Sequence, residues 1–157
     1  MSNYYNKEKM AMLGHAGEKL VCSHFRDKGC EVTESIYTFD NKKDMTVNGL
    51  STEVKTQQLF HVEDAFSVED NQLYKCENAD LLIFVEAPNA KISSENNVIR
   101  IYGCDNKKKR KFYGRVTRNG KKMKLIKRGG LTLLKEITDK RLIEEFLRLS
   151  NSDWGKK

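Results

Sequence analysis

The chain has 157 residues, 29 Lys/Arg against 22 Asp/Glu, and a formal net charge of +7. That length suits one domain with a real core and is short for two, and no apolar run approaches the roughly 18 residues that mark a membrane-spanning helix. The opening Met1-Ser2-Asn3-Tyr4-Tyr5-Asn6-Lys7 leads into charged residues and not into an apolar signal core, so the expectation is a soluble, cytoplasmic, unexported protein with no membrane partner.

Residues 6–28 read as a helix. Met10, Leu13, Ala16 or Gly17, Leu20, Val21, Cys22 and Phe25 recur at helical spacing, and Lys28-Gly29 is a stop signal. Gly14 and Gly17 each weaken a helix by about 1 kcal/mol relative to Ala, so a pair one turn apart suggests close approach of another backbone or of substrate. Glu18 follows, either an exposed helix charge or part of a site. Cys30 to Tyr37 alternates as a strand with Val32 and Ile36 inward. A polar loop, Phe39 to Lys43, delivers Asp44. Met45-Thr46-Val47 is a short strand, Asn48-Gly49 a hairpin turn, and Leu50 to Gln57 the returning strand.

Strand side chains alternate, so Glu53 and Lys55 share one face and Val54 points into the core. The hairpin brings Asp44 back toward that face, and two carboxylates and one ammonium then converge. Such a set suits a hard divalent cation beside a phosphate, because magnesium takes oxygen ligands and keeps several waters. The cation would stabilise charge on phosphoryl oxygens and activate a bound water, and Lys55 would orient that water or stabilise the developing charge. The same residues also read as a solvated, charged hairpin.

Beyond this hairpin, residues 58–78 read as a loop and then a helix over roughly 67–77. Ala79 to Ala87 is the most apolar run and reads as a central strand buried on both faces, ended by Pro88. Residues 89–97 are a polar loop, and Val98 to Cys104 is another strand. Asp105 to Lys111 is a basic turn, and 112–116 with 123–126 form a hairpin through Asn119-Gly120. Gly129-Gly130 breaks the chain, Leu131 to Ile137 is a last strand or docking segment, and a helix capped by Thr138 runs to about Leu149. Trp154 either closes the core or meets a partner.

Charge is divided along the chain. Residues 1–97 hold 10 Lys/Arg and 16 Asp/Glu, whereas residues 98–157 hold 19 Lys/Arg and 6 Asp/Glu. An acidic half with a candidate cation site, joined to a basic half, suits a protein that grips a polyanion. Lys107, Lys108, Lys109, Arg110, Lys111, Arg115, Arg118, Lys121, Lys122 and Lys124 are the candidate phosphate contacts, followed by Lys127 and Arg128. Phe112 and Tyr113 serve either packing or stacking. Cys22, Cys30, Cys76 and Cys104 have no metal or disulfide spacing and read as free thiols.

The order helix, strand, strand with Asp44, strand with Glu53-Val54-Lys55, helix, strand resembles the PD-(D/E)XK nuclease superfamily over about residues 10–87. Lys43 stands where the motif name has Pro. The resemblance implies an α/β fold, with a mixed central β-sheet flanked by helices in a restriction-endonuclease-like αβββαβ core. It places the nuclease core at 6–87; the basic β extension at 98–137 and the C-terminal helix at 138–150, read within the same single domain 1–157, lie outside the resemblance. It further implies a magnesium-dependent DNA endonuclease, with manganese able to substitute, of the Holliday-junction-resolvase-like or phage type. The cellular site is then the host cytoplasm if phage-encoded. Glu18, Asp44, Glu53, Lys55 and Gln57 match the family's catalytic positions, and Asp44, Glu53, Glu18 and the Val54 carbonyl match its metal ligands. DNA is the implied partner and a homodimer a further expectation. The alternative is a catalytically inactive DNA-binding subunit of a DNA-processing assembly.

Overall fold

The structure, a computed structural model, describes residues 2–34, 45–89 and 97–150, and of residues 2–6 the backbone alone. Asp44, the Ile36 end of the first predicted strand, most of the 89–97 loop and Trp154 lie outside the described residues.

Helix α1 spans Ser2–Asp27. Strands β1 (Val32–Glu34), β2 (Met45–Val47) and β3 (Leu50–Gln58) form an antiparallel meander, with Met45 opposite Thr52 and Val47 opposite Leu50. Asn48 and Gly49 take positive φ at the β2–β3 turn (50° and 80°), which is the reason an Asn-Gly pair serves there. Strand β4 (Ala65–Glu69), a 3-10 turn (Asp70–Gln72) and α2 (Leu73–Asn78) lead into β5 (Leu81–Ala87), which returns parallel to β3. Next come β6 (Ile99–Cys104), β7 (Phe112–Val116), β8 (Lys122–Lys127), β9 (Thr132–Ile137) and α3 (Lys140–Ser150).

Two sheets result. The larger is mixed, in the order β1-β2-β3-β5-β6-β9, and the smaller is β4-β8-β7. The fold is thus α/β with a mixed multi-strand sheet flanked by helices. On one face of the large sheet, Val54, Ile83, Val85, Ile99 and Ile101 pack with Leu13 and Val21 of α1 and Phe146 and Leu149 of α3. On the other, Leu82, Phe84 and Tyr102 pack against Phe66, Val68 and Ile126 of the small sheet and Cys76 of α2. The Phe66 and Phe84 rings stack at 4.7 Å across that second interface. Among the described residues, no helix is long and apolar enough to cross a membrane.

Two local expectations are corrected and one alternative is settled. The helix expected over 67–77 is strand to Glu69 and helix only from Leu73. Phe66 and Val68 alternate inward and their segment pairs with β8, a partner nearly 60 residues away that no local pattern reveals. The cap of α3 is Asp139, whose carboxylate accepts the Leu142 N–H at 3.1 Å, and not Thr138. Thr132–Ile137 resolves as a strand paired with β6.

Candidate active site and basic surface

β3 sorts its side chains into two sets. Val54 joins the α1-side core, and Thr56 touches α1 at Gly17. A Cβ added to Gly17 would overlap the Thr56 hydroxyl and sit 2.8 Å from Thr56 Cβ, whereas one on Gly14 would meet nothing within 4 Å. The close approach expected of the two glycines occurs at Gly17 alone, and it is made by the Thr56 side chain and not by another backbone. Glu53, Lys55 and Gln57 occupy the opposite face.

On that face Glu53 is almost wholly buried, at 1% exposure. Lys55 Nζ lies 3.1 Å from Glu53 Oε2 and donates to Gln72 Oε1 at 2.9 Å. Gln72 ends the 3-10 turn before α2, so the turn between the two sheets holds the lysine against the buried acid. Sequence reading missed Gln72, because nothing local marks a loop amide as a lysine partner.

Gln57 has a different task. Its amide donates to Ser67 O at 2.8 Å and accepts from Ser67 N at 2.8 Å. The side chain thus imitates a strand neighbour and ties the outer edge of β4 to β3, so Gln57 reaches a substrate only by breaking both bonds. Glu18 is half-buried on α1, next to Gly17, where the helix meets Thr56 of β3. Val54 places its side chain in the core and pairs with Ile83. For Asp44, the described chain gives only the position of its neighbour: Met45 lies opposite Thr52, the residue before Glu53.

Among the described residues no group of three His, Cys, Asp or Glu is placed to hold a metal ion. Glu53 alone supplies one carboxylate, and magnesium sites commonly use one or two together with substrate oxygens and water. Of the expected ligands, Glu18, Glu53 and Val54 lie among the described residues and Asp44 does not.

The basic residues separate into three groups. Arg110 is corrected: its guanidinium is buried and donates to the carbonyls of Cys76, Glu77, Ala79, Asp80 and Cys104 at 2.6–3.3 Å. It fastens the C-terminal end of α2 to β6 and is not a phosphate contact. Lys107, Arg115 and Lys121 are engaged with Asp80 (3.8 Å), Glu63 (3.0 Å) and Glu69 (2.9 Å). Tyr113, which donates to Glu63 at 3.0 Å, is the first cause of that carboxyl's lowered pKa, ahead of Lys127 and Arg115. Asp80 is lowered first by the Ser51 N–H. Lys108, Lys109, Lys111, Arg118 and Lys122 are exposed, Lys124 half-buried, and none of these six is in an ion pair among the described residues.

A second polar cluster lies where the two sheets meet. Arg128 Nη2 is 2.8 Å from Asp64, and its Nη1 is 3.6 Å from the buried Glu86, which Arg100 approaches at 3.9 Å. Burial opposes the charge on Arg128 but is outweighed by Tyr102, Asp64 and Glu86, so the guanidinium is held charged. A lone Glu inside the apolar β5 run was the sequence signal for this cluster. Comparison with protein families, with curated proteins and with solved structures finds no match.

Proposed function

We propose that this chain is a magnesium-dependent DNA endonuclease of the PD-(D/E)XK type, with its site on β3. The observation that carries the reading is Lys55 Nζ held 3.1 Å from the buried Glu53 carboxylate on one strand face. The chain order around it supports the same reading: α1, a three-strand meander, then α2 and a strand returning parallel to β3. Asp44 and Glu53 would hold Mg2+, with the Val54 carbonyl and Glu18 as the further ligands that the family resemblance implies. The cation, when bound, supplies Lewis acidity toward a phosphodiester.

The remaining work falls to the chain's own groups. Lys55, fixed by Gln72, orients the attacking water or meets the negative charge growing on the phosphoryl oxygens. Burial of Glu53 lowers the local dielectric and strengthens both interactions. The unpaired lysines of the 107–111 turn and the β7–β8 hairpin bind the phosphate backbone, which makes binding weaken as salt rises. Cutting both strands of a duplex or a junction calls for two such sites, which favours a homodimer.

The second reading is a catalytically inactive DNA-binding subunit. It is favoured by one observation: Lys55 is held between the Glu53 carboxylate and the Gln72 amide, contacts that a purely structural lysine would also make. Purified protein, Asp44→Ala, Glu53→Gln and Lys55→Ala are compared for nicking of supercoiled plasmid with magnesium or manganese. Metal-dependent nicking by the wild type and its loss in all three variants is expected. Equal nicking by the variants ends the catalytic reading, and salt-dependent binding without any cleavage selects the second one.

A further inference from the structure

Tyr74, on the first turn of α2, is 76% exposed. It is the only Phe, Tyr or Trp side chain exposed among the described residues. A lone exposed ring is ordinary, but the surroundings of this one are not. α2 is six residues long, about 9 Å end to end. Its N-terminal end abuts Gln72, which holds Lys55 at 2.9 Å. Its C-terminal end is gripped by Arg110 through the carbonyls of Cys76, Glu77 and Ala79, and this anchors the basic turn there. Lys108, Lys109 and Lys111 on that turn are exposed and in no ion pair among the described residues. Asp80, which Lys107 of the turn reaches, is already engaged by Ser51 and Lys107. Asp70, Glu77 and Asp105, the acid that opens the turn, are exposed.

A polyanion lying along α2 would therefore touch Lys55 at one end and three unpaired lysines at the other, with the tyrosine ring between them. Lysines bind phosphates irrespective of base. An exposed ring adds something only where a base has left its stack, since bases inside a duplex present edges and not faces to a protein. We propose that Tyr74 is a stacking platform for an unpaired base, and that the nucleic acid this surface takes is single-stranded or locally unpaired. The inference rests on the nucleic-acid reading above and deepens it to a substrate class.

The test is a fluorescence-anisotropy titration with labelled oligodeoxythymidine and with a duplex of equal length, at one fixed salt concentration. Wild type, Tyr74→Ala, Tyr74→Phe and the double variant Lys108→Ala/Lys109→Ala are compared after thermal melts show that each is folded. Tyr74→Ala is expected to weaken single-strand binding roughly tenfold, the loss of one stacked base, and to change duplex binding by less than about twofold. Tyr74→Phe keeps the wild-type affinity, because the ring and not the hydroxyl stacks. The double lysine variant weakens both ligands and flattens the salt dependence. Unchanged single-strand binding by Tyr74→Ala overturns this inference alone and assigns the ring to another partner, such as a protein. An equal loss on both ligands also overturns it. A wild type that binds neither ligand removes it together with the nucleic-acid reading.

Discussion

Arg110 separates the two ways of reading the basic segment. Written among Lys107, Lys108, Lys109 and Lys111, it looks like a fifth phosphate contact, yet it is 7% exposed and donates to five backbone carbonyls. In Arg110→Ala the three most enclosed of these, on Cys76, Ala79 and Cys104, lose their donor in a place water reaches poorly. An unsatisfied buried polar group costs about 1–3 kcal/mol. The carbonyls of Glu77 and Asp80 are half-exposed and recover solvent. Removing a buried cation from its partners sets a similar scale, about 3–5 kcal/mol in total. For a domain of this size that corresponds to a fall in Tm of roughly 6–20 °C. Urea unfolding followed by circular dichroism measures it, and Arg110→Lys should recover little, because an ammonium cannot present the guanidinium fork. An Arg110→Ala protein within about 1 kcal/mol of wild type, but with weakened DNA binding, would refute this account and restore the phosphate contact.

Other expectations follow from the same packing. Gly17→Ala should destabilise by about 1–3 kcal/mol through its collision with Thr56, whereas Gly14→Ala should stabilise by up to about 1 kcal/mol from helix propensity; equal shifts in chemical denaturation would contradict the contact. His24 is buried, and burial, followed by Lys28 and Lys135, lowers its pKa below the usual 6.5. The unfolded chain then binds a proton that the folded protein refuses, so stability falls as pH drops below about 6.5 and gains nothing from His24 above it. A Tm–pH profile whose slope between pH 5 and 7 is unchanged in His24→Gln would argue against this. Burial, then Glu34, pushes the Cys22 thiol up to about 11, and Cys76 and Cys104 are also buried. Native protein at pH 8 should therefore alkylate first at the half-buried Cys30, and mass spectrometry showing Cys22 modified first would count against the core assignment.

Local pattern was enough for most of the described backbone of this protein, residues 65–69 excepted. Apolar spacing marks α1, Asn48-Gly49 the β2–β3 turn, and the Leu81–Ala87 run the central strand, because helix period, turn chemistry and strand alternation act over a few residues. The shared face of Glu53 and Lys55 was legible for the same reason. Only tertiary structure decided what long-range contacts control. Residues 65–69 became strand because β8 was there to pair with them. Gln57 became a tie because the edge of β4 lay beside it. Gln72 met Lys55 across 17 positions of chain. Arg110 left the solvated basic run because a helix end offered carbonyls that needed a donor. Charge along a sequence gives the sign of a residue, but burial and partners, which belong to the folded chain, determine whether that charge faces a ligand or its own backbone.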